Sequence, residues 1–212
     1  EKGPKGKGWN NQENVITDPK KATLIFGNVG LAHLYCSPYV TAALDIDDLS
    51  LASTYLSKHD IDLQALLDAQ DAVQISSGRI NRAKLLYRLP FDSKPMETRQ
   101  ISDPVSKNMV LELRCASSNG KTVQDLLPPS IHPETGIEYK WAVKGDWRNI
   151  PFIPEALLTL WEELLNGNLA HPKSSASPLI PQQPATSQLL SDQDIQHLRS
   201  ALLHLRADDR KD

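Results

Sequence analysis

YVTAALDIDD, Tyr39 to Asp48, decides the fold: an apolar, β-prone run ends in carboxylates at Asp45 and Asp47. Strand side chains alternate faces, so the two acids project from one face with Cα atoms ~7 Å apart, the geometry of a clamp for a divalent cation. Two readings stand at this point. In one, a metal, helix amides or solvent offsets the repulsion between the carboxylates. In the other they form an acidic turn, with Asp48 capping the helix that follows and its neighbours in water near the helix N-terminus.

Working outward, ATLIFGNVGLAHLY, broken by Gly27 and Gly30, and SPYVTAALDID read as two β-rich runs between Ala22 and Asp47. Apolar residues at helical spacing predict helices over Leu49 to Lys58 and Asp62 to Gln70, with Leu63, Leu66 and Leu67 on one face. AVQISSG, a turn around Arg79 to Asn81, and RAKLLYRL make a hairpin closed by Pro90. After a polar loop, MVLELRC from Met109 to Cys115 alternates as a half-buried strand, and HPETG reads as a turn between two extended segments. A helix from Pro154 to Asn166, with Gly167 just past its end, closes the domain.

Composition frames these elements. With 212 residues, 40% of them hydrophobic and 23% charged, the chain suits one medium domain plus an appendage. No run approaches the ~18 apolar residues of a membrane span, and EKGPKGKGWN has no hydrophobic segment of a signal peptide, so a cytoplasmic protein without membrane partners is expected. Cys36 and Cys115 lie far apart with no zinc-type spacing and read as core thiols. A net charge of -3 argues against an indiscriminate nucleic-acid binder and leaves room for a local basic patch. Residues 168–190 hold four prolines, four serines and a single charge at Lys173, the composition of an extended linker after a domain of residues 1–167. Ser191 to Asp194 resembles a capping box, and Ile195, Leu198, Leu202 and Leu205 form one stripe, so residues 191–212 read as the first helix of a second domain. The start without Met and the stop after this helical pattern fit a fragment of a longer protein.

The chemistry sits on the strands. In MVLELRC, Leu111 and Leu113 face the core while Glu112 and Arg114 share the opposite face, either as an ion-pair ladder or as a third site carboxylate with an arginine beside it. Arg79, Arg82, Lys84 and Arg88 crowd one hairpin of an acidic chain. Lys84, Leu86 and Arg88 share a face, which suits a guarded edge strand or two cations aimed at a common polyphosphate. Trp141 and Trp147 read as core residues or as stacking platforms for bases.

The order of these pieces resembles the bifunctional primase/polymerase branch of the archaeo-eukaryotic primase superfamily, found in replication proteins of phages, plasmids and integrated elements. GKGWN (Gly6 to Asn10) is similar to that family's opening region, NVGLAH (Asn28 to His33) to its "NIGI" strand, and LDIDD to its first catalytic motif. ISSGRINRAKLLYRLP (Ile75 to Pro90) resembles the second motif, LELR with Glu112 the third, and LPPSIHP followed by EYKW the "PPS-x-H…Y-x-W" signature. The resemblance runs from Gly6 to about Leu165, and the tail LSDQDIQHLRSALLHLRADDR is similar to the helical domain that often follows such primases, which implies a helicase in the same full-length protein.

The resemblance implies an α/β fold: a primase-like core whose mixed, largely antiparallel sheet carries the acids on one face and is flanked by helices, followed by the linker and helix. It implies a DNA primase/polymerase in which Asp45, Asp47 and Glu112 are catalytic and hold two Mg²⁺ or Mn²⁺ ions. Lys84, Arg82, Ser77, Arg114, Ser130 and His132 would contact the nucleoside triphosphate, with single-stranded DNA as template. Two positions depart from the family pattern: Lys84 stands where a histidine is usual, and Glu112 where an aspartate is usual. A fixed cation replaces a donor histidine against phosphate but loses its pH response, and the longer Glu112 holds a metal more loosely. Two rivals remain open, a two-metal nuclease and a catalytically degenerate primase fold that docks DNA or a helicase.

Overall fold

The computed structural model describes residues 7–22, 24, 27–142 and 144–167; the expected linker and second-domain helix lie outside the described residues. In chain order the elements are α1 (Pro19–Ala22), β1 (Val29–Ala32), β2 (Thr41–Ile46), α2 (Leu49–Ser57), α3 (Leu63–Asp68), β3 (Val73–Ser76), β4 (Ala83–Arg88), β5 (Arg99–Ser102), β6 (Met109–Arg114), β7 (Gln124–Leu127), β8 (Lys140–Trp141) and α4 (Glu155–Asn166). Six strands form one sheet in the order β5-β6-β2-β4-β3-β8, and β1 pairs with β7 in a separate ribbon. All these strand pairs are antiparallel; among the described residues, parallel contact is confined to single bridges such as Arg88 with Phe152. The fold is the α/β core with antiparallel sheet that the sequence implies.

Alternation explains both layers. Leu44 and Ile46 of β2, Leu85 and Tyr87 of β4, and Leu111 and Leu113 of β6 point to one side, where they are buried with Ala52, Leu56, Leu63, Leu157, Leu160 and Trp161 of the helices. The helices start and stop where side chains dictate. Asp48 caps α2 by accepting from Leu51 N at 2.9 Å, Asp62 caps α3 by accepting from Ala65 N at 3.1 Å, and Gly167 ends α4 in the left-handed region at φ 67°. Leu66 and Leu67 pack beside Leu63 against this core.

On the other side of the sheet, Ala43, Val73, Ile75 and Leu86 form a smaller cluster, covered in part by Leu31 and Leu127 of the β1–β7 ribbon. The ribbon is clamped by polar side chains just outside it. Asn28 Nδ2 donates to Ile131 O at 2.8 Å while Ile131 N donates back to Asn28 Oδ1 at 2.7 Å, and Ser130 Oγ accepts from Val29 N at 2.9 Å. NVGLAH and LPPSIHP, far apart in the chain, are thus one structural unit.

Four readings of the sequence change. The first β-rich run shrinks to Val29–Ala32, because His33–Tyr35 turns into a 3-10 helix that swings the chain toward β2. The polar loop before Met109 contains β5, whose Arg99, Gln100, Ile101 and Ser102 lack a strand's apolar pattern and are ordered by the edge of β6. Strand β4 lies between β2 and β3, so Lys84 does not guard an edge. Cys115 is a core thiol, whereas Cys36 is only partly buried.

Candidate active site

Register sets the site. Gln100 pairs with Glu112, Glu112 with Asp45, Asp45 with Lys84, Lys84 with Ile75, and Ile75 with Trp141, so one residue from each strand stands in a single row across the sheet. Paired residues share a face. The polar centre of this row, Glu112, Asp45 and Lys84, borders a cleft of about 390 Å³, within the usual range of small-molecule sites. Asp47 borders it too, just beyond the end of β2, where its backbone N donates to Val110 O at 2.9 Å.

Each expected metal ligand meets a cation. Lys84 Nζ lies 3.1 Å from Asp45 Oδ2, Arg82 pairs with Asp47, and Arg114 pairs with Glu112, which also accepts from Gln100 Nε2. Burial pushes the Asp45 carboxyl above its ordinary pKa; Lys84 pulls it down and Asp125 pushes it up again. Burial works against the Lys84 ammonium, yet Asp125 and Asp45 more than offset it and leave its pKa raised. The Arg114 guanidinium is likewise held charged, against burial, by Asp125, Glu112 and Asp45.

Asp125 is the residue that the sequence did not announce. It enters from β7, is 3% exposed, and joins three partners: Lys84, Arg114 Nε at 3.2 Å, and His33 Nε2 at 2.8 Å. Burial disfavours its charge, but Lys84, the His33 hydrogen bond and Arg114 hold its carboxyl far below the usual range. An ionised carboxylate only accepts, so His33 donates through Nε2, while its Nδ1 meets Thr41 Oγ1 at 3.0 Å. His33 itself is fully buried. The signal in the sequence is faint: a single acid in QDLL and a histidine ending NVGLAH, both at positions where an apolar strand residue is the default.

The other expected contacts divide. Ser77, Arg82, Lys84, Arg114 and His132 border the cleft, joined by Arg79 and Tyr139, neither of which was expected there. His132 is buried; its Nδ1 accepts from the backbone N atoms of Glu134 and Thr135, each at 3.3 Å, and its ring lies 5.7 Å from that of Tyr139. Ser130 stands apart from the cleft, with its hydroxyl committed to the Val29 backbone. Arg88 shares the face of Lys84 but not its target: its guanidinium sits over Phe152 at 4.5 Å and Tyr39 at 5.2 Å. Trp141 and Trp147 stack on one another at 5.9 Å, and Arg148 covers Trp147 at 4.4 Å.

The donor set suits a hard divalent cation in kind, since Asp45, Asp47 and Glu112 offer only carboxylate oxygens. Burial is the largest cause of the raised Asp45 pKa, ahead of the opposing pull of Lys84. As placed, the three acids turn to their cations, and among the described residues no three His, Cys, Asp or Glu side chains are grouped closely enough to hold a metal.

The family model described as bifunctional DNA primase/polymerase, N-terminal, matches residues 1–156, and the chain belongs to this family. No curated protein and no solved structure matches it. Membership implies nucleotidyl transfer of the DNA primase/polymerase type in general, with DNA and nucleotides as substrates. Among the described residues, no helix is long and apolar enough to cross a membrane.

Proposed function

We propose that this cleft is a nucleotidyltransferase site that extends or initiates strands on single-stranded DNA. One observation carries the reading: Glu112, Asp45 and Lys84 stand abreast on three adjacent strands, so carboxylates and a cation face one cleft. Asp45, Asp47 and Glu112 would hold Mg²⁺ or Mn²⁺. When bound, such ions would activate a primer 3′-hydroxyl and neutralise charge on the departing pyrophosphate. Arg82, Lys84 and Arg114 bind and orient the triphosphate, with Ser77 and His132 bordering the same space. Asp45, Lys84, Glu112 and Arg114 are held on strands, and Asp47 and Arg82 directly adjoin strand ends, so these groups are positioned before substrate arrives, which is most of what phosphoryl-type transfer asks of a protein. The likeness of the tail to a primase-associated helical domain supports a helicase in the full-length protein.

A second reading is favoured by the pairing of all three acids with cations: a module that docks nucleotide and DNA without catalysis. Incubating the chain with primed and unprimed single-stranded DNA, labelled nucleotides and Mn²⁺ separates them. Extension or new primers support the transferase; binding without incorporation supports the docking module; degradation of the DNA points to a two-metal nuclease.

A further inference from the structure

We infer that Asp125 is a positioning residue for the cleft: as the second partner of both Lys84 and Arg114, it keeps these cations paired and in place when Asp45 and Glu112 turn to a divalent ion. This rests on the proposed metal-dependent reading. The geometry is symmetric. Lys84 is shared between Asp45, at 3.1 Å, and Asp125; Arg114 is shared between Glu112 and Asp125, at 3.2 Å. Each cation thus bridges one expected metal ligand and the same buried carboxylate.

A buried cation that loses its only partner is strongly disfavoured, so a Lys84 committed to Asp45 alone would resist any metal that claimed Asp45. Asp125 removes that conflict, because Lys84 and Arg114 each retain a carboxylate after the exchange. Its own place is fixed from elsewhere: β7 carries it, His33 donates to it at 2.8 Å, and Thr41 of β2 holds His33 at 3.0 Å. Asp125 is therefore anchored to the ribbon and the sheet independently of the acids it assists. With Asp125 present, the ion-paired groups of the cleft among the described residues number four carboxylates to three cations, Arg82, Lys84 and Arg114. Without it the balance is even, and each cation is locked onto a metal ligand.

The test is Mn²⁺ binding by calorimetry on the full chain without nucleotide. Asp125→Asn should weaken Mn²⁺ binding about tenfold or more, the scale of losing one close charge partner. Asp125→Glu, which retains the charge, should recover most of the loss. Lys84→Met should tighten Mn²⁺ binding by freeing Asp45, and Asp125→Asn added to it should have a clearly smaller effect than in the parent, since only Arg114 remains to be released. Equal Mn²⁺ affinity of Asp125→Asn and parent overturns the inference, and so does an equal loss in both backgrounds, which is what a purely structural role would give. If Asp125→Asn alone fails to fold, the double variant with Lys84→Met leaves no unpaired ammonium and is compared with Lys84→Met: weaker binding supports the role, equal binding sinks it. A parent chain that binds no Mn²⁺ overturns the metal-dependent reading together with this inference, whereas a parent that binds and a silent Asp125→Asn overturn the inference alone.

Discussion

On strands β2, β4 and β6, neighbouring residues have opposite fates. Leu44, Leu85 and Leu113 are fully or almost fully buried beneath the helices, while Asp45, Lys84 and Glu112, each one position away, border the cleft. The helix side is held by burial of apolar surface, which stabilises in proportion to the area removed from water. The cleft side holds charges in pairs, and such pairs contribute little net stability because desolvation opposes their attraction. The same strands therefore divide their labour: one face maintains the fold, and the other keeps groups that only a ligand would repay. Substitutions should separate the two faces cleanly.

The largest effect is expected on the cleft face. Asp45→Ala should reduce nucleotide incorporation to background while the melting temperature without metal stays level or rises. The sign follows from burial, which already disfavours the Asp45 carboxylate, and from repulsion by Asp125. Lys84 retains Asp125 as a partner after the change. Full activity in Asp45→Ala, or a large drop in melting temperature, would erase the division between the faces.

On the helix face the order reverses. Leu85 is fully buried at the centre of β4, and Leu85→Ala should cost about 2–5 kcal/mol of unfolding free energy. At a temperature where the variant remains folded, its incorporation rate per molecule should match the parent. Denaturant titration and the primer-extension assay check the two halves of this expectation.

How much of this division was legible depended on pattern length. In the core strands TAALDI, AKLLYR and MVLELR, Asp45, Lys84 and Glu112 each stand between buried apolar neighbours, Leu44 and Ile46, Ala83 and Leu85, and Leu111 and Leu113, so their common side follows from the period-2 rule even though Leu86 and Val110 break strict alternation. The caps at Asp48 and Gly167 were legible for local reasons, being side-chain and backbone preferences at helix ends. Strand β5 was not, because its four residues carry no apolar alternation and depend on the unpaired edge of β6. Asp125 was illegible for a different reason: its partners Lys84 and His33 lie 41 and 92 residues away, and only the ribbon's placement brings them together. Spacing along a chain reports neighbours within an element; it does not report which distant element will cover the sheet. For the same reason Arg88, open in the sequence between an edge-strand guard and a second cation aimed at a polyphosphate, instead meets Tyr39 and Phe152, which the sequence could not place beside it.

A smaller effect tests whether the cations act on nucleotide or merely balance acids. A charge-assisted contact from Lys84 to a triphosphate is of the order of ~1.5–3 kcal/mol. Lys84→Ala should thus weaken binding of a nonhydrolysable triphosphate in Mn²⁺ by roughly ten- to a hundredfold, with single-stranded DNA binding little changed. Lys84→His should recover part of the loss, and more of it at low pH, where imidazole is protonated. Superimposable titrations for the three proteins would reduce Lys84 to a counter-ion and make the cleft face as purely structural as the helix face.

The smallest effect concerns thiols. Cys115 follows β6 in the main core and is fully buried, which pushes its thiol up to about 11; burial also raises the half-buried Cys36, with its Thr41 hydrogen bond acting in the opposite direction. Alkylating reagents require the thiolate. At pH 8 the folded protein should therefore label slowly at both positions, Cys115 more slowly than Cys36, and both should label at once in denaturant. The pH dependence follows from the direction of the shift. A group whose folded pKa lies above its unfolded value stabilises the fold fully below the unfolded pKa, here the ordinary value of 9.0, and that stability is lost as pH rises toward about 11. The buried Tyr87 phenol, raised by burial and by Asp71, adds loss of the same sign at still higher pH. Thermal stability should be insensitive to these groups up to about pH 8 and decline above it, and Cys115→Ala should flatten the first part of that decline. Labelling of Cys115 in the folded protein as fast as in denaturant would mean that the helix face opens as readily as the cleft, and the contrast between the two faces would fail at the level of dynamics.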